Sequence, residues 1–299
     1  MAFDNLIGKE FKDFVLGEKL GESAAGPVFS ARNIYSRKPF FAKVSEYVPG
    51  KAHPLLKEYN LIQHLHCKGR IISVPRVHYF EEQDNYCVLI MDDVQNTVGR
   101  DATGQEITLP IETVLEIASD CVLTLRRIHG MGVIHADLKP TSIVQVAPDS
   151  FQIAHFGSSE FFVGGAHEHL EMKVDKNMKG DIRYSSVHTH EQLTRSRRDD
   201  LEMLGYVLVK LFKGRLPWDD LIDALNKKSA SEMTVDCDGH AIAVSDMNKQ
   251  VWELKKNTKP EDLCKGMPEV FVKYMEHVRK LGFKDKPSYE EFRVSFQRA

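Results

Sequence analysis

The chain has 299 residues, 42% of them hydrophobic and 28% charged, with a formal net charge of −3. That length can bury one large core or two modest lobes, and the near balance of signs leaves no global field to hold the protein on nucleic acid or an anionic membrane. No apolar run approaches the roughly 18 residues of a spanning helix, so neither nucleic acid nor a membrane is expected as a partner.

The five cysteines, Cys67, Cys87, Cys121, Cys237 and Cys264, lack the paired short spacings of a zinc site or a disulfide framework. Free, mostly buried thiols are expected, and with them a reduced intracellular compartment, cytoplasmic or nuclear.

Residues 14–47 and 71–92 read as short β-branched and aromatic runs separated by turn residues, the pattern of an antiparallel sheet. Between them, His53 to His66 sets Leu55, Leu56, Tyr59, Ile62 and Leu65 at helical spacing. From Pro110 the pattern turns helical, with a stripe from Val114 through Ile117, Cys121 and Leu125 to Ile128 that stops near Gly130 and Gly132. A small hairpin is expected at Ile143–Val146 and Gln152–Ala154, across Pro148, Asp149 and Ser150. Further helices are predicted at Asp199–Phe212 and Glu269–Leu281. The mixed polar stretch 227–249 reads as a surface excursion. The expected fold is α+β: a β-rich N-terminal lobe over about residues 1–91, a hinge near 92–95, and a mainly helical C-terminal lobe to 299, together forming a single domain.

Chemistry-bearing residues recur along this frame in a fixed order. Gly21 and Gly26, with Ser23 between them, lie between two strands. Ala42 and Lys43 follow in a strand, and Glu58 lies on the next helix. Then come His135-Ala-Asp137-Leu-Lys139-Pro-Thr-Ser142 and His155-Phe-Gly157. Each piece alone is a weak signal. Together, in this order, the chain resembles the protein kinases. Ile182-Arg-Tyr-Ser-Ser186 with His188, the run Ser196 to Tyr206, and Gly214-Arg-Leu-Pro-Trp218 narrow the likeness to the casein kinase one superfamily. Ala136, where most kinases carry arginine, is closer to vaccinia-related kinases, which have glycine there. The resemblance runs over roughly residues 14–296 and implies the two-lobed protein kinase fold.

The resemblance gives Lys43 to the nucleotide phosphates with Glu58 as its ion-pair partner, Asp137 to the catalytic base and Lys139 to the γ-phosphate. It makes Gly21, Ser23 and Gly26 the phosphate loop and sets Ala42 and Met91 around the adenine. Asp200 and Gly205 become scaffold for the catalytic loop. Two positions depart from the pattern: His155 stands where the metal-binding aspartate belongs, and Ser142 where the loop asparagine belongs. Magnesium prefers hard oxygen donors in tight octahedral geometry, so magnesium is not expected here. Ser23 and Pro27 also alter the phosphate loop, since proline removes a backbone donor, and ATP binding is left open. His167, Glu168, His169 and Glu171 read as a solvated activation segment rather than a metal site. Arg195, Arg197 and Arg198 are expected to pair with Asp199, Asp200 and neighbours. A pseudokinase acting as a regulatory or scaffolding module on a protein partner, such as a related active kinase, is the expected function. The alternative is a weak or atypical-metal serine/threonine kinase that transfers the ATP γ-phosphate to protein substrates.

Overall fold

The side chains of a β-strand alternate between two faces, and here that period divides the core in two. The computed structural model describes residues 3–299 apart from 49, 52, 72, 84, 95, 102, 176–179 and 232–241. Strands β1 (Glu10–Phe11), β2 (Phe14–Ser23), β3 (Gly26–Asn33), β4 (Pro39–Glu46), β5 (Val77–Glu82) and β6 (Tyr86–Asp92) form an antiparallel sheet in the order β1-β2-β3-β4-β6-β5, with helix α1 (Pro54–Cys67) inserted after β4. Phe40, Ala42 and Val44 of β4 pack with Phe14, Phe29 and Ile90 on one face. Phe41 points the other way, into a cluster with Leu89 and Met91 of β6 that continues through Leu55 and Ile62 of α1 into the helical lobe.

Helix α1 begins where the sequence predicts. His53 is its N-cap, Nδ1 accepting from the Leu56 N–H at 3.3 Å, and Pro54 occupies the first turn, where a missing N–H costs nothing. Among the described residues the second lobe runs α2 (Ile111–Gly130), β7 (Val133–Ile134), β8 (Ile143–Ala147), β9 (Ser150–Ile153), β10 (Glu160–Phe161), α3 (Val187–His190), α4 (Arg197–Lys213), α5 (Asp219–Ser231), α6 (Ile242–Asn257), α7 (Pro260–Leu263), α8 (Glu269–Lys280) and α9 (Tyr289–Gln297). The predicted hairpin is β8 paired with β9, and β7 pairs with β10. The class is therefore α+β, a β-rich lobe followed by a helical one, as the sequence implied.

Helix α4 is buried on nearly every side, as befits a central helix. The Asp199 carboxylate caps its start by accepting the Ser196 N–H at 2.7 Å, and Gly214, at a left-handed φ of 76°, ends it. Gly205 is needed midway, because a Cβ there would collide with Met275 Sδ of α8.

The expectation of an irregular excursion over 227–249 is corrected on both flanks. Helix α5 runs on to Ser231 and α6 starts at Ile242; only residues 232–241 lie outside the described residues, with Cys237 among them. The polar composition hid α6; among its described side chains, Val251 and Lys255, a lysine with no exposure, are buried. Cys67 is exposed, whereas Cys87, Cys121 and Cys264 are buried free thiols, with burial pushing Cys87 up to about 11. No helix among the described residues is long and apolar enough to cross a membrane.

Candidate nucleotide cleft and catalytic loop

The cleft between the lobes is organised by one buried ion pair. Lys43 projects from β4 and its Nζ lies 2.6 Å and 2.8 Å from the two carboxylate oxygens of Glu58 on α1. Both side chains are almost fully buried, 4% and 1% exposed, so each charge depends on the other for its solvation. Helical spacing brings this about, since Leu55, Glu58 and Ile62 share one buried face of α1.

The catalytic loop is held from below by Asp200 of α4. Its carboxylate accepts the N–H groups of His135 and Ala136 at 2.7 Å and 2.8 Å, and lies 2.8 Å from His129 Nε2. Burial acts to raise the pKa of this carboxyl, but the hydrogen bond and charge of His129 and the further donors hold it below the usual range. Ala136 takes a left-handed φ of 68°, a strained conformation for a residue with a Cβ. His135 is fully buried; Nε2 lies 2.9 Å from the Ala154 carbonyl while Nδ1 accepts the Asp137 N–H at 3.3 Å. That pair of bonds selects the neutral tautomer protonated at Nε2.

Asp137 faces the cleft with both oxygens engaged. Oδ2 accepts from Lys139 Nζ and Oδ1 from the Asp181 N–H, each at 3.2 Å. Asp181 is a cleft residue that the sequence reading passed over. A lone acid before Ile182 carries no local signal, and only the return of 180–186 onto the catalytic loop brings it there.

The two positions where the kinase pattern carries metal ligands offer uncharged groups here. Ser142 is fully buried and its hydroxyl donates to the Asp137 carbonyl at 3.1 Å. His155 sits at a left-handed φ of 67° before a short 3-10 turn, and burial, reinforced by the Lys43 ammonium, holds its pKa down to about 3. The imidazole is therefore neutral at physiological pH. A neutral ring and an uncharged hydroxyl are weak substitutes for the anionic oxygen donors that magnesium prefers, and Ser142 does not line the cavity of the cleft. Among the described residues no group of three or more histidine, cysteine, aspartate or glutamate side chains is arranged to hold a metal ion.

The phosphate loop is also turned inward. Ser23 Oγ donates to the Gly26 carbonyl at 2.8 Å and accepts the Ala25 N–H at 3.3 Å, so the loop consumes a donor that a phosphate could use. Gly26 has φ 134°, and a Cβ there would strike the Val44 carbonyl. Its constraint is packing against β4.

A cavity of about 860 Å³ fills the cleft, within the usual range for small-molecule sites. Gly21, Ser23, Lys43, Glu58, Asp137, Lys139 and His155 line it, whereas Gly26, Ala42, Met91 and Ser142 do not. The placement of Ala42 at the adenine is thus corrected. Ala42 lies on the far face of β4, packed with Phe29 and Ile90, because neighbours of the inward-facing Lys43 must face outward. Phe41, two residues before Lys43, is the one that reaches the cavity. Strand alternation would have found it. Met91, its register partner on β6, is buried beside it.

Of the pairings expected for the arginine cluster, that of Arg198 with Asp199 is present. Arg195 donates to Glu160 at 3.0 Å and to the Ala136 carbonyl, Arg197 donates to the Lys284 carbonyl at 2.5 Å, and Arg198 lies 3.8 Å from Asp199. His169 packs between Phe162, tilted at 53°, and Phe283, edge-on at 68°.

A strand lysine paired to a helix glutamate above an aspartate-bearing loop that hangs from a central helix is the arrangement of a protein kinase domain. The chain belongs to that family, whose sequence model matches residues 14–275. It is 28% identical over 304 residues to Casein kinase I homolog 1 of Schizosaccharomyces pombe, which covers 99% of this chain and 62% of that protein. The chain thus spans less than two thirds of that relative's length.

Proposed function

We propose that this protein is a pseudokinase of the casein kinase one and vaccinia-related group, an intracellular regulatory or scaffolding module that acts on a protein partner, such as a related active kinase. The observation that supports the reading is the pair His155 and Ser142: a neutral imidazole and a hydroxyl bonded to the Asp137 carbonyl occupy the positions that the kinase pattern gives to metal ligands. Removing one unit charge from about 4 Å of a divalent ion forfeits on the order of 8 kcal/mol at an effective dielectric near 20. If even about half of that is missing in the transition state, transfer slows about a thousandfold. Asp137 and Lys139 are retained, but a base cannot replace the charge neutralisation that dominates phosphoryl transfer.

A second reading, a weak or atypical-metal serine/threonine kinase, is favoured by the intact pairing of Lys43 with Glu58. One experiment separates the two. Purified protein is given labelled ATP and a general protein substrate with magnesium, with manganese, or with chelator, beside Asp137→Asn. The pseudokinase reading expects background incorporation in every lane; incorporation that vanishes in the variant overturns it.

A further inference from the structure

We propose that Phe41 is the residue that excludes purine nucleosides from this cleft, independently of the missing metal ligands. The strand period sets Phe41 and Lys43 on the same face of β4, about 7 Å apart along the strand at two residues' rise. A nucleotide whose phosphates reach Lys43 must lay its base about one ribose away, alongside residue 41. The side chain there is a benzyl group, and it is already packed.

Four contacts fix the ring. Met91 faces it across the β4–β6 register. The His155 ring meets it edge-on from the other lobe, with centroids 6.1 Å apart at 67°. Lys43 Nζ lies 5.8 Å from its centroid, a cation over an aromatic face. Its remaining surface belongs to the main apolar cluster that joins the lobes, leaving 4% exposed. Phe41 therefore forms a wall of the cavity: the lining includes Phe41 and omits its cross-strand neighbour Met91. A ring so covered offers no free face on which a base could stack. Moving it aside would strip its packing from both lobes, because interiors at close-packed density have no vacant place to receive it.

The substitution at 155 supports the same wall. A neutral imidazole packs edge-on against the apolar ring, the T-shaped arrangement that aromatic pairs favour. Phe41 and His155 thus fit each other, and together they tie the sheet to the catalytic lobe where a ligand would otherwise bridge them.

This inference extends the pseudokinase reading, and its test uses adenosine, which has no phosphates and needs no metal. Binding is followed by calorimetry and by thermal shift at millimolar adenosine for the wild type, Phe41→Ala and Phe41→Val, each checked for folding by circular dichroism. The wild type is expected to bind nothing measurable. The small-residue variants are expected to melt lower when empty and to gain saturable binding about tenfold or more tighter than any wild-type signal, as engineered apolar cavities accept planar aromatics. Saturable wild-type binding overturns the proposal, and so does a folded variant that still binds nothing. Wild-type adenosine binding without phosphate transfer would remove this inference and leave the pseudokinase reading standing; Asp137-dependent transfer would remove that reading itself.

Discussion

Arg195 donates from Nη1 to the carbonyl oxygen of Ala136 at 2.8 Å, while its Nη2 reaches Glu160 at 3.0 Å. A guanidinium from the segment before α4 thus serves the catalytic loop at a residue that carries only a methyl group. It ties the loop to β10, whose partner β7 leads directly into that loop.

Removing this fork should loosen the loop. Arg195→Ala is expected to cost about 2–3 kcal/mol, the range for hydrogen bonds to charged groups whose partners are left behind, read from urea midpoints. Arg195→Lys should recover only part of it, since an ammonium cannot reproduce the planar two-way geometry. A loss under about 0.5 kcal/mol would mean that the bond to Ala136 is incidental.

Two histidines should make the fold acid-labile. Burial, with a nearby ammonium, holds both His155 and His190 at about 3, below their ordinary value near 6.5. The unfolded chain then binds more protons than the native one between those limits. Stability is complete above pH 6.5 and is lost progressively as pH falls towards 3, by up to about 1.4 kcal/mol per unit for each histidine. His190 lies 2.5 Å through Nδ1 from Asn248 and leaves Nε2 without a partner, so His190→Gln should flatten the profile while changing stability little at pH 7.5. Equal slopes for variant and wild type in denaturation at pH 7 and pH 5 would contradict this assignment.

Restoring the metal ligands alone should not restore metal-dependent nucleotide binding. His155→Asp with Ser142→Asn supplies the oxygen donors, but Phe41 still walls the cleft. The triple variant that adds Phe41→Ala is expected to be stabilised by ADP only when magnesium is present, by about 2.7 kcal/mol at 100 times its dissociation constant. The double variant should show no such shift. Thermal denaturation with ADP, with and without chelator, checks both, and the asparagine is expected to lower the baseline by about 1–3 kcal/mol because Ser142 has no exposure to spare.

Much of this protein was legible along the chain. The order of Lys43, Glu58, Asp137, Lys139 and His155 depends on local spacing, and the two lobes follow from a change in hydrophobic period after residue 92, both of which a linear sequence carries in full. The residue types at Ser142 and His155 were equally plain. Ala42 was misplaced because motif matching overrode the simpler rule that a strand's neighbours face opposite ways. The helices flanking 232–241 were missed because polar and charged residues dominate their sequences, and composition marks Lys255 as solvated although it is buried.

By itself, then, the sequence determined the kinase frame and the residue types at Ser142 and His155, since both are written at fixed separations. Only the tertiary structure decided what surrounds those residues. Arg195 beside Ala136, Asp181 on Asp137, and Phe41 against His155 are each contacts between segments far apart in the chain. Contacts of that kind arise from how lobes and loops pack, and packing depends on the shapes of all the side chains at once rather than on any local pattern.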